Sequence, residues 1–302
     1  MLLGLWLVVT CSAAANDLAR TSINRADQRV AGRVDGPLVR EAADGVIRPA
    51  PKEKPPTDDF GRADNATVFT VHLGWHLFFY FTTAGAAYLV FHVMGKRWLA
   101  ARRIQPRAPE RAAIRRDIFY SLSSAVIFAL VGVLSAQLIM HGWTKIYLRI
   151  DRYGWAYFWF SLLAMIVLHD TWFYWTHRLM HWRRLFPLMH RVHHLSHTPS
   201  PWSALAFHPT EAVVQAIIFP LAALLLPLHP FVALLWLIYM IVINVWGHLG
   251  FELLPAGFRR HWFFRWHNTT THHDMHHRHL SGNYSLYFNF WDRVMRTNHR
   301  DY

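Results

Sequence analysis

Residues 66–94, ATVFTVHLGWHLFFYFTTAGAAYLVFHVM, contain no Lys, Arg, Asp or Glu. Wound as an α-helix, a run of that length more than spans the roughly 30 Å of hydrocarbon in a bilayer. Inside hydrocarbon a backbone must satisfy its own N–H and C=O groups, so a long unbroken apolar run is a helix there. A second apolar run covers Ile118–Met140. A third, Trp155–Leu168, continues as helix into a histidine cluster, and Ala212–Leu228 and Phe231–Trp246 follow, separated by Pro230. The last two read as a hairpin that crosses and returns, with Pro220 and Pro227 making its first arm irregular. The expected fold is all-α: a multi-span helical membrane protein.

The rest of the chain limits what else it can be. MLLGLWLVVTCSAAA (1–15) has the apolar run and small-residue end of a signal peptide without its usual leading Lys or Arg, so it reads as a signal peptide or an uncleaved anchor. Residues 16–65 are polar, with a proline cluster at Arg48–Pro56, and read as a flexible tail. The membrane-embedded domain is expected over 66–302. The formal charge of +13 lies entirely beyond residue 65, because residues 1–65 hold nine basic and nine acidic side chains. Those basic residues flank apolar spans, which excludes a soluble nucleic-acid binder and fits membrane topology instead. Lys96, Arg97, Arg102, Arg103, Arg107, Arg111, Arg115 and Arg116 face only Glu110 and Asp117 between the first two spans. The positive-inside rule puts that loop, and with it the later histidine clusters, on the cytoplasmic face.

Histidine is the unusual residue, with 22 in 302, whereas cysteine occurs once, at Cys11. One thiol excludes a disulfide framework and thiolate-built zinc or iron–sulfur sites, so any metal here is held by nitrogen or oxygen. Three clusters stand out: His177 and His181; His190, His193 and His194, with His197 beyond; and His272, His273, His276 and His277. Spacings of three and four put side chains on one helical face, and two imidazoles so placed can fill neighbouring positions around iron, zinc or copper. Even eight of these histidines exceed the coordination of one ion, which implies two ions with four or five nitrogens each. His248, in NVWGHLGFE one turn after Asn244, is a further candidate ligand. Asp170, on the same face as His177 and His181, suits a carboxylate that orients a ligating ring. His208 in AFHPTE reads as a group touching the ligands from outside, over the alternatives of a ligand or a helix-start residue.

With these motifs in hand, HDTWFYWTHRLMH, HRVHH, SALAFHPTE, GHLGFE, and HHDMHH followed by NYSLYFNFWDRV resemble the sterol desaturase/fatty acid hydroxylase superfamily. The resemblance covers roughly residues 85–296 and looks most like the sterol C-5 desaturase (lathosterol oxidase) branch. It implies an integral-membrane enzyme with two iron ions held by His177, His181, His190, His193, His194, His273, His276 and His277, and by His248 as a ninth. His272, Asp170, His208 and Asn244 are then expected around those ligands. Two features depart from the pattern. Asn244 stands where acyl hydroxylases carry a further histidine, and VMRT (Val294–Thr297) replaces the usual Gly-Thr after the WDR sequence.

The resemblance further implies an O₂-dependent oxidoreductase that hydroxylates or desaturates an unactivated C–H position of a membrane lipid, sterol-like in preference to fatty-acyl or carotenoid. No side chain beyond the metal ligands needs to act as acid, base or nucleophile; the metal performs the difficult step. No GxGxxG or CxxCH occurs, so electrons must come from an external donor, a ferredoxin or b-type cytochrome with its reductase. Tyr174 and its aromatic neighbours read as packing. Two other classes compete. A zinc-dependent membrane hydrolase lacks here the glutamate of an HExxH box, and a metal transporter places histidines within its spans rather than at one face.

Overall fold

The computed structural model describes residues 63–302, so the leader-like segment 1–15 and most of the polar tail lie outside the described residues. Among the described residues the structure is helical and forms no strand. Helix α1 (Asn65–Ala87) starts where the Asp64 carboxylate accepts the Thr67 N–H at 2.9 Å, and it runs on as a π-helix over Tyr88–Met94. Helices α2 (Arg111–Met140) and α3 (Gly154–Met180) follow. With α8 (Pro230–Gly247) they make four helices long and apolar enough to cross a membrane.

The fourth apolar run, Ala212–Leu228, departs from the expected span. It forms α6 (Pro209–Ala216) and α7 (Ile218–Leu225), neither long enough to cross alone. Pro220 explains the break, because it has no N–H to give Ala216 and its ring would crowd that carbonyl. The two short helices still descend together. The Lys145 N–H reaches the Ala223 carbonyl at 2.8 Å and the Tyr147 N–H reaches that of Leu228 at 3.2 Å, so α7 ends beside the α2–α3 connection.

The packing is that of a helical membrane protein. On α2 the buried positions are mostly small: Ser121, Ser124, Ala125, Ala129, Gly132, Ser135 and Ala136. Such a stripe lets backbones approach closely where no hydrophobic effect separates helix from solvent. At Gly132 the approach is closest, since a Cβ there would lie 2.0 Å from His72 Nδ1 on α1. The outer face of the same helix carries Leu122, Val126, Leu130 and Leu134, all exposed. Small residues inside and large apolar ones outside reverse the arrangement of a water-soluble bundle.

The remaining elements gather at one end of the bundle. They are α4 (Phe186–Met189), α5 (Arg191–His194), α9 (Thr270–His279) and α10 (Phe290–Val294). The basic loop between α1 and α2 joins that end: the Ile104 N–H reaches the Gly250 carbonyl at 3.1 Å, and Gln105 Nε2 donates to Asp274 at 3.0 Å. Glu252 fastens the segment after α8 to the start of α9 by accepting the Thr271 N–H and hydroxyl at 3.0 and 2.7 Å.

Candidate metal centre

The C-terminal turn of α3 presents His177 and His181, the α4–α5 segment presents His190, His193 and His194, α8 ends at His248, and α9 presents His273, His276 and His277. These nine rings converge in two groups. His177, His181, His190, His194 and His276 form one; His193, His248, His273 and His277 form the other. Within each group the ligand nitrogens all lie within 4.8 Å of one another. The rule of assembly is simple. Pairs four apart share a group (177/181, 190/194, 273/277), while His193 and His276, three residues from His190 and His273, cross to the other group. The groups adjoin, with the His194 and His277 rings 5.0 Å apart.

The nitrogens face one another at contact distances. His177 Nε2 and His190 Nε2 are 2.9 Å apart, and His181 Nε2 lies 3.2 Å from both His194 Nε2 and His276 Nε2. In the second group His248 Nε2 lies 3.3, 3.0 and 3.2 Å from the Nε2 atoms of His193, His273 and His277. Nitrogens bound to one ion at about 2.0–2.1 Å sit roughly 2.8–3.4 Å apart at neighbouring octahedral or tetrahedral corners. The spacing matches.

Proton positions sharpen the point. Nδ1 of His177, His276 and His248 lies 2.7 Å from the carbonyl oxygens of Tyr284, Gly282 and Asn244 respectively. A carbonyl only accepts, so each Nδ1 carries the proton and each Nε2 is left with a bare lone pair. Burial, reinforced for most of them by the charge of neighbouring imidazoles, also keeps these rings neutral. His248 and His276 are pushed down to about 4, and His190, His193, His194, His273 and His277 well below the ordinary imidazole range. Lone pairs turned toward one another in a buried space need a cation between them, and neutral imidazole is the ligand form. The donor set fits a pair of transition-metal ions.

The groups around the rings differ from expectation at several positions. Asp170 touches no imidazole; its carboxylate accepts the N–H groups of Tyr287 and Phe288 at 2.7 and 3.4 Å, holding the 284–288 strip against α3. His208 is a helix-start residue whose Nδ1 meets Thr210 Oγ1 at 2.8 Å. The carboxylate that does reach a ring is Glu211, with Oε1 2.7 Å from His190 Nδ1 and both residues 1% exposed. It lies one turn into the helix that His208 starts, and it is the sole carboxylate between Asp170 and Glu252, a signal the sequence offered. His272 is buried but turned away, with Nε2 3.5 Å from Asp292 and its ring on Tyr302. Asp292 in turn accepts the Tyr284 and Ser285 N–H groups at 2.9 and 2.8 Å, fixing the turn whose carbonyl holds His177. Asn244 contributes through its backbone carbonyl, while its amide donates to the Ala204 carbonyl at 2.8 Å. His197 falls outside the short α5 helix and is exposed, so it leaves the stripe expected for it. Tyr174 is packing, stacked on Trp291 and bonded to Thr297, so the departed VMRT tail still closes on the site.

Between the spans lies an apolar cavity. Its lining includes Phe173, Phe207 and Asn244, which touch His177, His193 and His248 respectively. An apolar chamber that opens beneath the imidazoles suits a bound hydrocarbon.

Residues 162–297, which contain all nine rings, match the model of the fatty acid hydroxylase family. The chain is 27% identical over 245 residues to a Delta(7)-sterol 5(6)-desaturase of Gibberella zeae, a match spanning 78% of this chain and 70% of the relative. It is also 27% identical over 247 residues to lathosterol oxidase of Rattus norvegicus, spanning 79% and 76%. Methylsterol monooxygenase 1 of the same species is 31% identical over 137 residues, 45% of each chain. No solved structure matches the chain.

Proposed function

Residues 162–297 of this chain belong to the fatty acid hydroxylase family, and from that premise we propose that the protein hydroxylates or desaturates an unactivated C–H position of a membrane lipid, sterol-like in class, at a di-iron centre. The family and the sterol-oxidising relatives make the chain an O₂-dependent oxidoreductase, and its four apolar helices make it an integral membrane protein. The observation that carries the finer reading is the facing of bare Nε2 lone pairs in two buried groups of five and four histidines.

In this reading His177, His181, His190, His194 and His276 hold one iron, and His193, His248, His273 and His277 hold the other. The bound irons supply the reduction of O₂ and the removal of hydrogen from carbon. The chain's own residues do the rest. The carbonyls of Tyr284, Gly282 and Asn244 and the carboxylate of Glu211 keep the Nδ1 protons in place and so keep the Nε2 atoms ready to ligate. Phe173, Phe207 and the cavity beyond them hold the lipid chain dry beside the rings. The catalytic unit is residues 66–302. Its histidine end shares a side with the basic α1–α2 loop, which supports a cytoplasmic site. Exposed Arg183, Arg184, Arg191, Arg259 and Arg260 at that end suit docking of an acidic electron carrier, a ferredoxin or b-type cytochrome.

The test is lipid mass spectrometry of cells expressing the wild type or His194→Ala under ¹⁸O₂, with iron measured on the purified protein. The wild type should give an ¹⁸O-labelled lipid for hydroxylation, or a lipid two hydrogens lighter for desaturation, and the variant neither. A purified wild type carrying zinc alone, or identical lipid profiles for the two strains, would refute the proposal.

A further inference from the structure

The cavity beneath the histidines is apolar except at a few positions, and most of those are already bonded. Ser135 Oγ donates to the Val131 carbonyl at 2.8 Å, the Asn244 amide to Ala204, and His169 Nδ1 meets the Tyr287 hydroxyl at 2.7 Å. Gln215 is different. It is 8% exposed, lines the cavity from α6, and neither its amide oxygen nor its amide nitrogen has a partner among the described residues. His76 Nε2, lining the same cavity from α1, is also unpartnered. An amide and an imidazole buried at membrane depth without partners are unfavourable, and the apolar wall gives them none.

The missing partner can be described by its chemistry. No Lys, Arg, Asp or Glu lines the cavity, so nothing there balances a phosphate, carboxylate or ammonium group. An amide offers a donor and an acceptor side by side, and an imidazole offers a third site. A hydroxyl, which donates once and accepts twice, complements that set, whereas a hydrocarbon leaves it unsatisfied. We propose that Gln215, assisted by His76, binds the hydroxyl of an uncharged lipid alcohol in this cavity and selects it over a hydrocarbon of the same shape. The inference rests on the reading that this cavity receives the lipid substrate, and it assigns the residues that choose among lipids.

The experiment uses the full-length, metal-loaded protein in lipid nanodiscs and follows its thermal midpoint against added cholesterol, cholestane, hexadecan-1-ol and hexadecane. At least one alcohol should bind the wild type about 10- to 100-fold more tightly than its matched hydrocarbon, the consequence of leaving a buried amide unpaired. Which pair shows the preference separates ring alcohols from straight-chain ones. Gln215→Met, of similar volume, should bring alcohol and hydrocarbon within about threefold of each other while leaving the ligand-free midpoint unchanged or higher. His76→Phe should narrow the preference partially, and it serves if Gln215→Met does not accumulate. Equal binding of both partners by the wild type, a preference retained in Gln215→Met, or a lowered ligand-free midpoint in that variant would each overturn the proposal. Because the readout is binding, an intact alcohol preference in a protein that oxidises no lipid would sink the reaction and leave this site standing.

Discussion

Removing the carboxylate behind His190 should weaken one metal position and spare the other. Glu211 Oε1 sits 2.7 Å from His190 Nδ1 in a pair that is 1% exposed on both sides. In Glu211→Ala the Nδ1 proton loses its one acceptor among the described residues, and the ring is free to turn or to shift its proton onto Nε2, where it would block the metal. Loss of a hydrogen-bonding partner behind a ligating histidine costs about 10- to 100-fold in metal affinity, which is about 1.4–2.7 kcal/mol. That is the size of one buried, charge-assisted hydrogen bond. His190 belongs to the group of five, so the group of four should keep its ion. Chelator competition followed by metal analysis reads this directly: the wild type should release its two ions at similar chelator strength, and Glu211→Ala should release one of them about 10- to 100-fold earlier. Glu211→Gln retains a carbonyl oxygen that can accept from Nδ1, so it should recover most of the loss. Metal content and chelator resistance in Glu211→Ala equal to the wild type would refute the orienting role, and loss of both ions together would refute the division into two groups.

The two groups predict opposite consequences for adjacent residues. His193→Ala should empty the four-nitrogen position and His194→Ala weaken the five-nitrogen one, seen as iron per chain falling from about two toward one in each, with the double variant binding neither firmly. At the α1–α2 contact, Gly132→Ala places a Cβ 2.0 Å from His72 Nδ1. The His72 ring or the helices that carry it must then shift, destabilising the protein by about 1–3 kcal/mol in a denaturant titration, and an unchanged midpoint would mean that the small-residue stripe does not set that contact.

Much of the architecture was legible along the chain because it is local. An uncharged apolar run must be helical in hydrocarbon whatever surrounds it, so four of the five expected spans stand as helices. The remaining one, fourth along the chain, broke at Ile217 because Pro220, four residues beyond Ala216, has no N–H to give that carbonyl, a conflict the sequence displayed and length alone concealed. The histidine clusters were legible for the same reason: positions four apart on a helix share a face. The roles given to Asp170 and His208 went astray for opposite reasons, the first read too locally and the second not locally enough. Asp170 is claimed by backbone N–H groups from more than a hundred residues away, and His208 by the start of its own helix.

The amino-acid order alone therefore determined the helices, their membrane character and the nitrogen chemistry of the site, all of which depend on neighbours within a turn or two. Only the tertiary structure decided that His193 and His194, or His276 and His277, serve different groups. Adjacent residues on a helix point about 100° apart, and which direction meets another ring depends on where α3, α8 and α9 converge. The inward aim of the His177 Nε2 was likewise set from afar, by the Tyr284 carbonyl on a turn that Asp292 fastens. Contacts of that range come from packing, and no periodicity within a segment encodes them.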